Sequence, residues 1–279
     1  MDLHDRTVLI TGASMGIGAA TARAFASAAA APPLRLALLA RSSDRLQALV
    51  TELNRQPGVQ ALAVTADVTQ PESLAPAVAQ IEGAFGPVDI LVNNAGVGMR
   101  SPVGSIDLAA ARQVFEVNYW GALACIEAVL PGMMAQQDGL IINISSILGH
   151  RAMPNAGIYC STKFALNALS ESMRLELRPH GIRVVGFYPG VTETEFGRNE
   201  LTGDATGQGR NRAARTSAAT VGQAIVRAAQ SEPRDGYATL FDRVFVWGAT
   251  LAPGLLDRML ARFYRRGVGG TRIDADERG

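Results

Sequence analysis

The sequence predicts an α/β fold in one domain, a doubly wound parallel sheet. Three observations lead to this prediction. The run from Thr7 to Ile10 is β-branched and apolar, and a glycine-rich turn joins it to an alanine-rich helical stretch that ends near Ala30. Leu34 to Ala40 is an apolar run interrupted only by Arg35, which is typical of a parallel strand covered on both faces. Strand-like and helical segments then alternate along the chain, and such repeated βα units form parallel sheets.

The later segments continue this alternation. Further strands are predicted from four apolar runs: Val59 to Val64, Pro87 to Val92, Leu140 to Ile144 and Ile182 to Tyr188. Helices are predicted from about Asp107 to Met134 and from Ala156 to Arg178. Ligands of a doubly wound sheet bind at the carboxyl ends of its strands. The polar motifs of this sequence follow those ends or lie on the helix that faces them, so we expect one ligand site there.

Length and charge limit the number of domains and the classes of partner that the sequence can have. A chain of 279 residues fits one large α/β domain, since single domains of this class commonly reach about 250 residues. The 26 Lys and Arg against 25 Asp and Glu give no reason to expect a nucleic-acid partner. No apolar run approaches the ~20 residues that a membrane span needs, so we expect no membrane-spanning segment. The charged start, Met1 to Arg6, does not resemble a signal peptide.

The cysteines and histidines do not have the spacing of a metal site or a disulfide framework. Cys125 and Cys160 are the only cysteines, so we expect a reducing, cytoplasmic location. The three histidines, His4, His150 and His180, are far apart, and we expect no metal ion.

The segment from Thr11 to Gly18 predicts a nucleotide site. It follows a strand and opens a helix, the context in which a glycine-rich turn has this meaning. Its glycines let the backbone turn tightly and approach a pyrophosphate, whose charge then lies at the N-terminus of the helix. The residues expected to contact the cofactor here are Gly12, Ser14, Met15, Gly16, Ile17 and Gly18.

Arg41 indicates which cofactor is bound. Proteins that prefer NAD usually place a carboxylate about twenty residues after the glycine turn, where it bonds the ribose 2′-hydroxyl. Here Ala40 and Arg41 end the second strand, and a guanidinium suits a 2′-phosphate, so NADP(H) is favoured over NAD(H). The alternative interpretation is that Arg41 is a solvated charge at a strand end. Asp44 lies too far along the chain to replace the missing acid.

Tyr159 and Lys163 predict acid–base chemistry. They are four residues apart, so they share one face of a helix. Bringing a phenol from a pKa of about 10 to neutrality needs roughly 4 kcal/mol, and a cation a few ångströms away supplies about that amount before desolvation is subtracted. The alternative is a helix with a surface lysine and a buried tyrosine, and the spacing alone does not exclude it.

Taken together, these motifs resemble the short-chain dehydrogenase/reductase family. The resemblance covers about Arg6 to Thr194, with every motif in family order and near family spacing. The matching motifs are Thr11 to Gly18, Asp67, Asn93 to Gly96, Asn118, Ser146, Tyr159, Lys163 and Pro189-Gly190. The implied fold is of the Rossmann type. The resemblance also implies a homodimer or homotetramer built on the helices near Asn118 and Tyr159.

The resemblance implies roles for four catalytic residues. Tyr159 would be the general acid/base, and Lys163 would lower its pKa and bond the nicotinamide ribose. Ser146 would hold and polarise the substrate carbonyl, and Asn118 would support a water relay from Lys163. Ser146 is chosen over Ser145 because it lies thirteen residues before Tyr159, as in the family.

Further contacts follow from the same resemblance. Asp67 and Val68 would contact the adenine, whereas Asn94, Ala95 and Gly96 would line the cofactor cleft. Pro189, Gly190, Thr192 and Thr194 would hold the carboxamide. Besides Ser146 and Tyr159, His150 and Met153 are candidates for substrate contact, the alternative being that both are simple loop residues. Cys160 points about 100° away from Tyr159 around the helix, so we expect no redox role for it.

The C-terminal third departs from the family pattern. We expect a catalytic domain at 1–242, with a mobile lid at about 191–216, and an extension at 243–279 that ends in a frayed tail from Asp274. The last strand, expected at Tyr237 to Asp242, leads into an added helix instead of an Asp-Gly-Gly ending. One apolar face of that helix is formed by Leu255, Leu256, Met259, Leu260 and Phe263. Such a basic amphipathic helix packs on its own domain or a sister subunit, or it contacts a membrane surface.

The sequence therefore predicts an NADP(H)-dependent oxidoreductase that interconverts a carbonyl and a secondary alcohol. The apolar tail favours an apolar small-molecule substrate. The alternatives are an NAD(H)-preferring enzyme of the same family, a non-catalytic cofactor sensor and a membrane-surface module.

Overall fold

A seven-stranded parallel sheet forms the centre of the molecule. The computed structural model describes residues 1–29, 33–196, 200–202 and 215–268, with side chains for all of these except residues 202, 259 and 262–268. The strand order is β3-β2-β1-β4-β6-β7-β11, and every pairing between neighbours is parallel. The strands of this sheet are β1 Thr7–Thr11, β2 Leu34–Ala40, β3 Val59–Thr65, β4 Ile90–Asn93, β6 Gly139–Ile144, β7 Ile182–Phe187 and β11 Asp235–Gly236.

Helices connect successive strands and cover both faces of the sheet. Their bounds are α1 Gly16–Ser27, α2 Ser43–Leu53, α3 Pro71–Phe85, α4 Leu108–Phe115, α5 Gly121–Gln136, α6 Gly157–Leu177, α7 Ala218–Ser231, α8 Leu240–Leu251 and α9 Pro253–Val268. Short strand pairs lie outside the main sheet: β5 Met99–Arg100 with β9 Leu201–Thr202, and β8 Thr192–Glu193 with β10 Thr216–Ser217.

Two hydrophobic layers hold the helices on the sheet. Successive residues of a strand point to opposite faces, and β1 shows this alternation. Val8 and Ile10 pack with α1, α2 and α7, whereas Leu9 packs with α3, α5 and α6 on the other face. Because both faces are buried, the strands consist mainly of apolar residues. The predicted doubly wound parallel sheet is confirmed.

The helix predicted from Asp107 to Met134 is present, with one local change. Asp107 is its N-cap and accepts a hydrogen bond from the Ala109 amide. Between α4 and α5 the backbone forms one π-helical turn at Glu116–Trp120, which carries Asn118. Such turns widen a helix locally and are frequent at functional sites.

The prediction of a last strand at Tyr237 to Asp242 is wrong. The last strand is Asp235–Gly236, and α8 begins at Leu240. A reciprocal capping box starts this helix: the Thr239 hydroxyl accepts from the Asp242 amide at 3.2 Å, and the Asp242 carboxylate accepts from the Thr239 amide at 3.0 Å. The helix therefore begins just before the end of the predicted catalytic domain at residue 242. The Thr-x-x-Asp spacing is the signal that identifies it.

Candidate active site

The glycine-rich turn lies at the carboxyl end of β1 and runs into α1. Gly12 and Gly16 have φ angles of +64° and +55°, a region that other residues rarely adopt. A Cβ on Gly12 would lie 2.9 Å from the Ala95 Cα, and a Cβ on Gly18 would lie 2.3 Å from the Gly12 carbonyl oxygen. The turn is thus packed against the segment after β4 through bare backbone. This leaves room beside it for a ligand to approach the N-terminus of α1.

Thr11 and Asn94 fasten the two segments together. The Thr11 hydroxyl accepts hydrogen bonds from the amides of Asn94 and Ala95, both at 3.0 Å. In return, the Asn94 side-chain amide donates to the Thr11 carbonyl at 2.9 Å. Asn94 therefore shapes the cleft as a clamp on the glycine turn. Thr11 was assigned to the glycine motif, but its hydrogen bonds to the segment after β4 were not predicted, because they join residues about 83 positions apart.

We expect Gly18→Ala to weaken both the fold and nucleotide binding. The new methyl group would meet the Gly12 carbonyl and, at 2.6 Å, the Asn94 amide, and both are fixed by their own hydrogen bonds. Overpacking of this kind lowers the free energy of unfolding by about 2 kcal/mol. Urea denaturation and nucleotide titration of the purified variant would measure the two losses.

Gly83→Ala is the matched control for Gly18→Ala. Gly83 is exposed on α3, and a Cβ there would meet nothing within 4 Å. This change should leave binding intact and raise stability by about 0.5–1 kcal/mol, because alanine is the better helix former. Equal behaviour of the two variants would contradict the packing role of Gly18.

Arg41 and Asp67 lie together at the carboxyl ends of β2 and β3. The Arg41 guanidinium is 69 % exposed, and its Nη1 lies 3.8 Å from the Asp67 Oδ2. The other Asp67 oxygen accepts from the amide and hydroxyl of Thr69, which fixes the carboxylate. The structure thus pairs the predicted cofactor residues Arg41 and Asp67. The Val68 side chain is buried against Gly121 of α5, so only the backbone of Val68 is available to a ligand.

Asn118 and Lys163 meet beside Gly96. The Asn118 side chain binds both backbone polar groups of Val97, accepting from its amide at 2.8 Å and donating to its carbonyl at 2.9 Å. It also donates to the Thr162 hydroxyl at 3.0 Å. A Cβ on Gly96 would lie 3.2 Å from the Asn118 Oδ1 and 3.8 Å from the Lys163 Nζ. The π-helical turn therefore brings Asn118 to the cleft, next to the lysine.

Lys163 is almost completely buried. Its side chain is 5 % exposed, and its Nζ donates to the Ile144 carbonyl at the end of β6, at 2.9 Å. The Ser145 hydroxyl donates to the Lys163 carbonyl at 3.2 Å, which ties α6 to the same strand end. Burial lowers the pKa of Lys163 to about 8, because a charged ammonium loses hydration there.

Tyr159 is half-buried one helical turn before Lys163. Its ring centroid lies 5.8 Å from the Lys163 Nζ, and Ser146 shares a hydrogen bond with its hydroxyl. The Ser146 hydroxyl also accepts from the Leu148 amide at 3.1 Å, as the N-cap of a short 3₁₀ turn at Ile147–Gly149. The two hydroxyl groups therefore meet at the carboxyl end of β6.

The pKa of Tyr159 is raised and not lowered, so the expectation of a lowered value beside Lys163 is wrong for the net shift. Burial raises the pKa of Tyr159 above its ordinary value, and the hydrogen bond with Ser146 opposes this rise only in part. The ammonium is itself destabilised by burial, and it points to the Ile144 carbonyl. Desolvation is thus larger than attraction at this site, and Tyr159 keeps its proton at neutral pH.

His150 and Met153, the two loop residues predicted as candidates for substrate contact, lie in different surroundings. His150 packs edge-on against Tyr188, with ring centroids 4.4 Å apart, and burial lowers its pKa. Its Nε2 is buried without a hydrogen-bond partner among the described residues. The ring thus lies against Tyr188 at the end of β7, and a substrate contact by His150 stays a prediction. Met153 is half-buried in the following loop, where its carbonyl accepts from the Ala156 amide.

The segment from Pro189 to Thr194 borders the same cleft. The Pro189 carbonyl accepts from the Ile147 amide at 3.2 Å, which places this segment next to Ser146. The Thr192 hydroxyl donates to the Gly190 carbonyl at 3.1 Å. Thr194 approaches the glycine turn, since a Cβ on Gly16 would lie 3.5 Å from the Thr194 Cβ. The loop after β7 therefore reaches across to the loop after β1.

Two residues near this segment were not predicted. Asp242 accepts a hydrogen bond from the Gly190 amide, so the cap of α8 also fixes the turn after β7. Phe196 packs edge-on against Tyr159, at 5.9 Å between ring centroids.

Of the predicted lid at 191–216, residues 197–199 and 203–214 lie outside the described residues. The predicted frayed tail from Asp274 lies outside them as well.

The described part of the chain gives no group of three or more His, Cys, Asp and Glu side chains arranged to bind a metal ion. Within the same residues, no helix is both long and apolar enough to cross a membrane. The groups brought together along the carboxyl edge of the sheet are hydroxyl, amide and ammonium groups, together with the Arg41–Asp67 pair.

The chain is similar to known proteins. A family model described as short chain dehydrogenase matches residues 6–227. "Dehydrogenase/reductase SDR family member 7B" of Bos taurus is 34 % identical over 273 residues, which cover 95 % of this chain and 83 % of the relative.

Two solved structures are similar along most of the chain. An alcohol dehydrogenase from the archaeon Thermococcus sibiricus, complexed with 5-hydroxy-NADP, has a TM-score of 0.71 and 30 % identity, over 83 % of this chain and 95 % of that chain. An NAD⁺-bound xylitol dehydrogenase has a TM-score of 0.65 and 32 % identity, over 69 % of this chain and 72 % of that chain. One of the two was thus solved with an NADP derivative and the other with NAD⁺.

Proposed function

This chain belongs to the short-chain dehydrogenase/reductase family, and on that premise we propose that it is an NADP(H)-dependent oxidoreductase that interconverts a carbonyl and a secondary alcohol. Members of the family act on alcohols and carbonyls with a nicotinamide cofactor. The observation that carries the proposal is the meeting of the Ser146 and Tyr159 hydroxyls beside Lys163, on the sheet edge that carries the glycine turn.

The cleft fits a dinucleotide. The glycine turn leaves bare backbone at the N-terminus of α1, and Gly96 places no side chain beside the Lys163 Nζ. The turn and Asn94 to Gly96 would hold the cofactor along this edge, and Pro189 to Thr194 would bind its carboxamide. When bound, a reduced nicotinamide supplies a hydride to the carbonyl carbon.

Ser146 and Tyr159 would act on the substrate oxygen. Both hydroxyls would donate hydrogen bonds to a carbonyl oxygen, so negative charge that develops there meets fixed donors. Tyr159 then transfers its phenolic proton to that oxygen, and the product is an alcohol. The raised pKa of Tyr159 keeps this proton in place until the oxygen becomes strongly basic. In the oxidation direction, Tyr159 takes the proton back.

Lys163 and Asn118 would support this step. After the proton leaves, Tyr159 is a phenolate, and an ammonium 5.8 Å from its ring stabilises the negative charge. A Lys163 pKa of about 8 also lets the amine exchange protons near neutral pH. Asn118 keeps Val97 and Thr162 in place beside the amine, and we propose that it lines the proton path to solvent.

The preference for NADP(H) depends on Arg41. Its guanidinium is exposed at the carboxyl end of β2, where a bidentate contact to a 2′-phosphate is available. Asp67 lies 3.8 Å away and would orient the guanidinium. The similarity to the alcohol dehydrogenase with 5-hydroxy-NADP supports this choice, whereas the NAD⁺-bound xylitol dehydrogenase represents the alternative.

We expect Arg41→Ala to weaken NADPH binding by about tenfold to a hundredfold and to change NADH binding little, because only NADPH carries the 2′-phosphate. Calorimetric titration of wild type and variant with both cofactors measures this. Arg45→Ala is the control, since Arg45 is an exposed arginine nearby on α2 that pairs with Glu195 at 3.7 Å. Equal losses for the two cofactors would remove Arg41 from the 2′-phosphate site.

The same titration tests the function as a whole when ketones and secondary alcohols are added. Hydride transfer with NADPH supports the proposal, and activity with NADH alone would show an NAD-preferring enzyme with the same chemistry. Binding without turnover of any carbonyl or alcohol would favour a non-catalytic cofactor sensor.

We also propose a homodimer or homotetramer. Trp120 follows Asn118 on the π-helical turn, and Phe164 follows Lys163 on α6. Both rings are about half exposed, at 51 % and 44 %. Large aromatic side chains in these positions suit contact with a sister subunit.

A further inference from the structure

The outer side of α8 carries a row of exposed apolar side chains. Between 51 % and 83 % of each is exposed. We call this set the α8 row: Leu240, Phe241, Val244, Trp247 and Leu251. The row continues at the start of α9 with Leu255, which is 62 % exposed. Large apolar side chains scattered singly are normal on a surface, but a contiguous group indicates a contact.

The helix places this row opposite its packed side. Each residue turns about 100°, so Leu240, Val244, Trp247 and Leu251 fall within an arc of about 60°. The side chains of Asp242, Val246 and Ala249 point the other way and are buried. The exposed face of α8 is therefore apolar, like its buried face. Phe241 lies beside this row and widens the apolar surface.

Basic residues outnumber acidic residues in the stretch that carries the α8 row. From Leu240 to Val268 the sequence has five arginines and two aspartates. Asp242 is buried in the cap of α8, and Asp257 pairs with Arg151. The Arg243 guanidinium lies 4.5 Å from the centre of the Trp247 ring, at the side of the row. The α8 row thus has the exposed Arg243 at its side, whereas both aspartates of this stretch are already engaged.

We propose that the α8 row is the contact surface for an anionic lipid bilayer. An apolar helix face with a tryptophan and flanking arginines is the arrangement that enters the boundary between head groups and acyl chains. Arginine heads reach the anionic head groups, while the apolar residues enter the layer beneath them. A second copy of this surface is a poorer partner, because both copies carry the same surplus of positive charge.

The position of α8 makes this contact relevant to the site. Val246 packs with Ile147 and Tyr188, and Asp242 accepts from the Gly190 amide. The helix therefore rests on the segments after β6 and β7. A bilayer that covers the α8 row would lie next to the sheet edge that carries Ser146.

The sequence offers a direct probe. Trp120 and Trp247 are the only tryptophans, so Trp120→Phe leaves Trp247 as the single fluorophore. We expect its emission to shift to shorter wavelength on vesicles of phosphatidylglycerol and phosphatidylcholine. The same full-length protein should float with these vesicles and bind at least about tenfold more weakly to pure phosphatidylcholine. The reciprocal variant, Trp247→Phe, should show no shift.

A matched pair of variants tests the row itself. Leu240→Ser with Leu251→Ser removes two exposed apolar side chains and should weaken vesicle binding about a hundredfold. Val103→Ser with Leu108→Ser removes two side chains that are equally exposed elsewhere, at 84 % and 67 %, and should leave binding unchanged. All four positions are on the surface, so the fold should tolerate every change.

Three outcomes would overturn the proposal. One is a wild-type protein that stays unbound on anionic vesicles. Another is equal binding by the two double variants. The third is a fall in molecular mass by light scattering in Leu240→Ser with Leu251→Ser, without any vesicle binding by the wild type, which would assign the row to contact between copies. None of these results depends on the proposed reaction.

Discussion

Tyr159→Phe is expected to lower turnover by about a thousandfold while the affinity for NADPH stays unchanged. Phenylalanine keeps the ring and its edge-on contact with Phe196, so the local packing survives. It removes the only proton that Tyr159 can donate, and it leaves Ser146 as a single donor to the substrate oxygen. The loss therefore concerns chemistry and not the fold.

Single-turnover hydride transfer with NADPH already bound would measure this effect, because it separates chemistry from binding. Tyr237→Phe is the control. Tyr237 is another half-buried phenol, packed 5.6 Å from the Tyr188 ring, and its removal should change turnover little. Turnover above about a tenth of wild type in Tyr159→Phe would exclude the phenol as the main proton donor.

Lys163→Met is expected to lower turnover at least about a hundredfold and yet to stabilise the protein at pH 7. Burial lowers the pKa of Lys163 from an ordinary 10.5 to about 8, which corresponds to a cost of up to about 3 kcal/mol for the charged amine. Methionine removes this cost, and it also removes the bond to the Ile144 carbonyl, worth about 1 kcal/mol. The net gain in the free energy of unfolding is then about 2 kcal/mol.

How the free energy of unfolding changes with pH follows from the number of protons that Lys163 binds in the folded and unfolded states. Between pH 8 and 10.5 the unfolded chain binds more protons at this lysine than the folded protein does, so stability rises with pH. The burial cost is present in full below about 8 and is lost as the pH rises towards 10.5. The advantage of Lys163→Met over wild type should therefore shrink between pH 7 and pH 9.5.

Denaturant unfolding of both proteins at the two pH values would measure this difference, and comparing them cancels the titration of other groups. Lys163 is also the only lysine in the sequence. NMR of protein labelled at lysine would therefore report its pKa without an assignment step. A stability difference that does not change with pH, or a lysine that titrates near 10.5, would contradict the burial cost.

Local sequence patterns predicted the sheet and most of the site. The run Leu34 to Ala40 is one complete strand, and six of its seven residues are apolar because a parallel strand of this kind is buried on both faces. The glycine turn was predictable because its glycines are required by positive φ angles and by the close approach of backbone. Family spacing then placed Ser146, which meets Tyr159 in the structure.

The remaining features depend on contacts that spacing does not encode. The direction of the Tyr159 pKa shift is set by burial, which depends on how the whole cleft packs. His150 follows Ser146 in sequence, yet its ring packs against Tyr188 at the end of β7. Helix α8 was assigned in part to a strand because an apolar run from Tyr237 suits both structures, and only the Thr239–Asp242 cap distinguishes them.

The order of strands in the sheet also bears on how the chain folds as it is synthesised. β1 is made first and is the third strand from one edge, and β2, β3 and β4 complete that side of the sheet once residue 93 has been made. β6, β7 and β11 then join the open edge one after another, in the order of translation. A nascent chain can thus assemble the glycine turn and its Thr11–Asn94 clamp well before Tyr159 exists, with no paired strand having to separate.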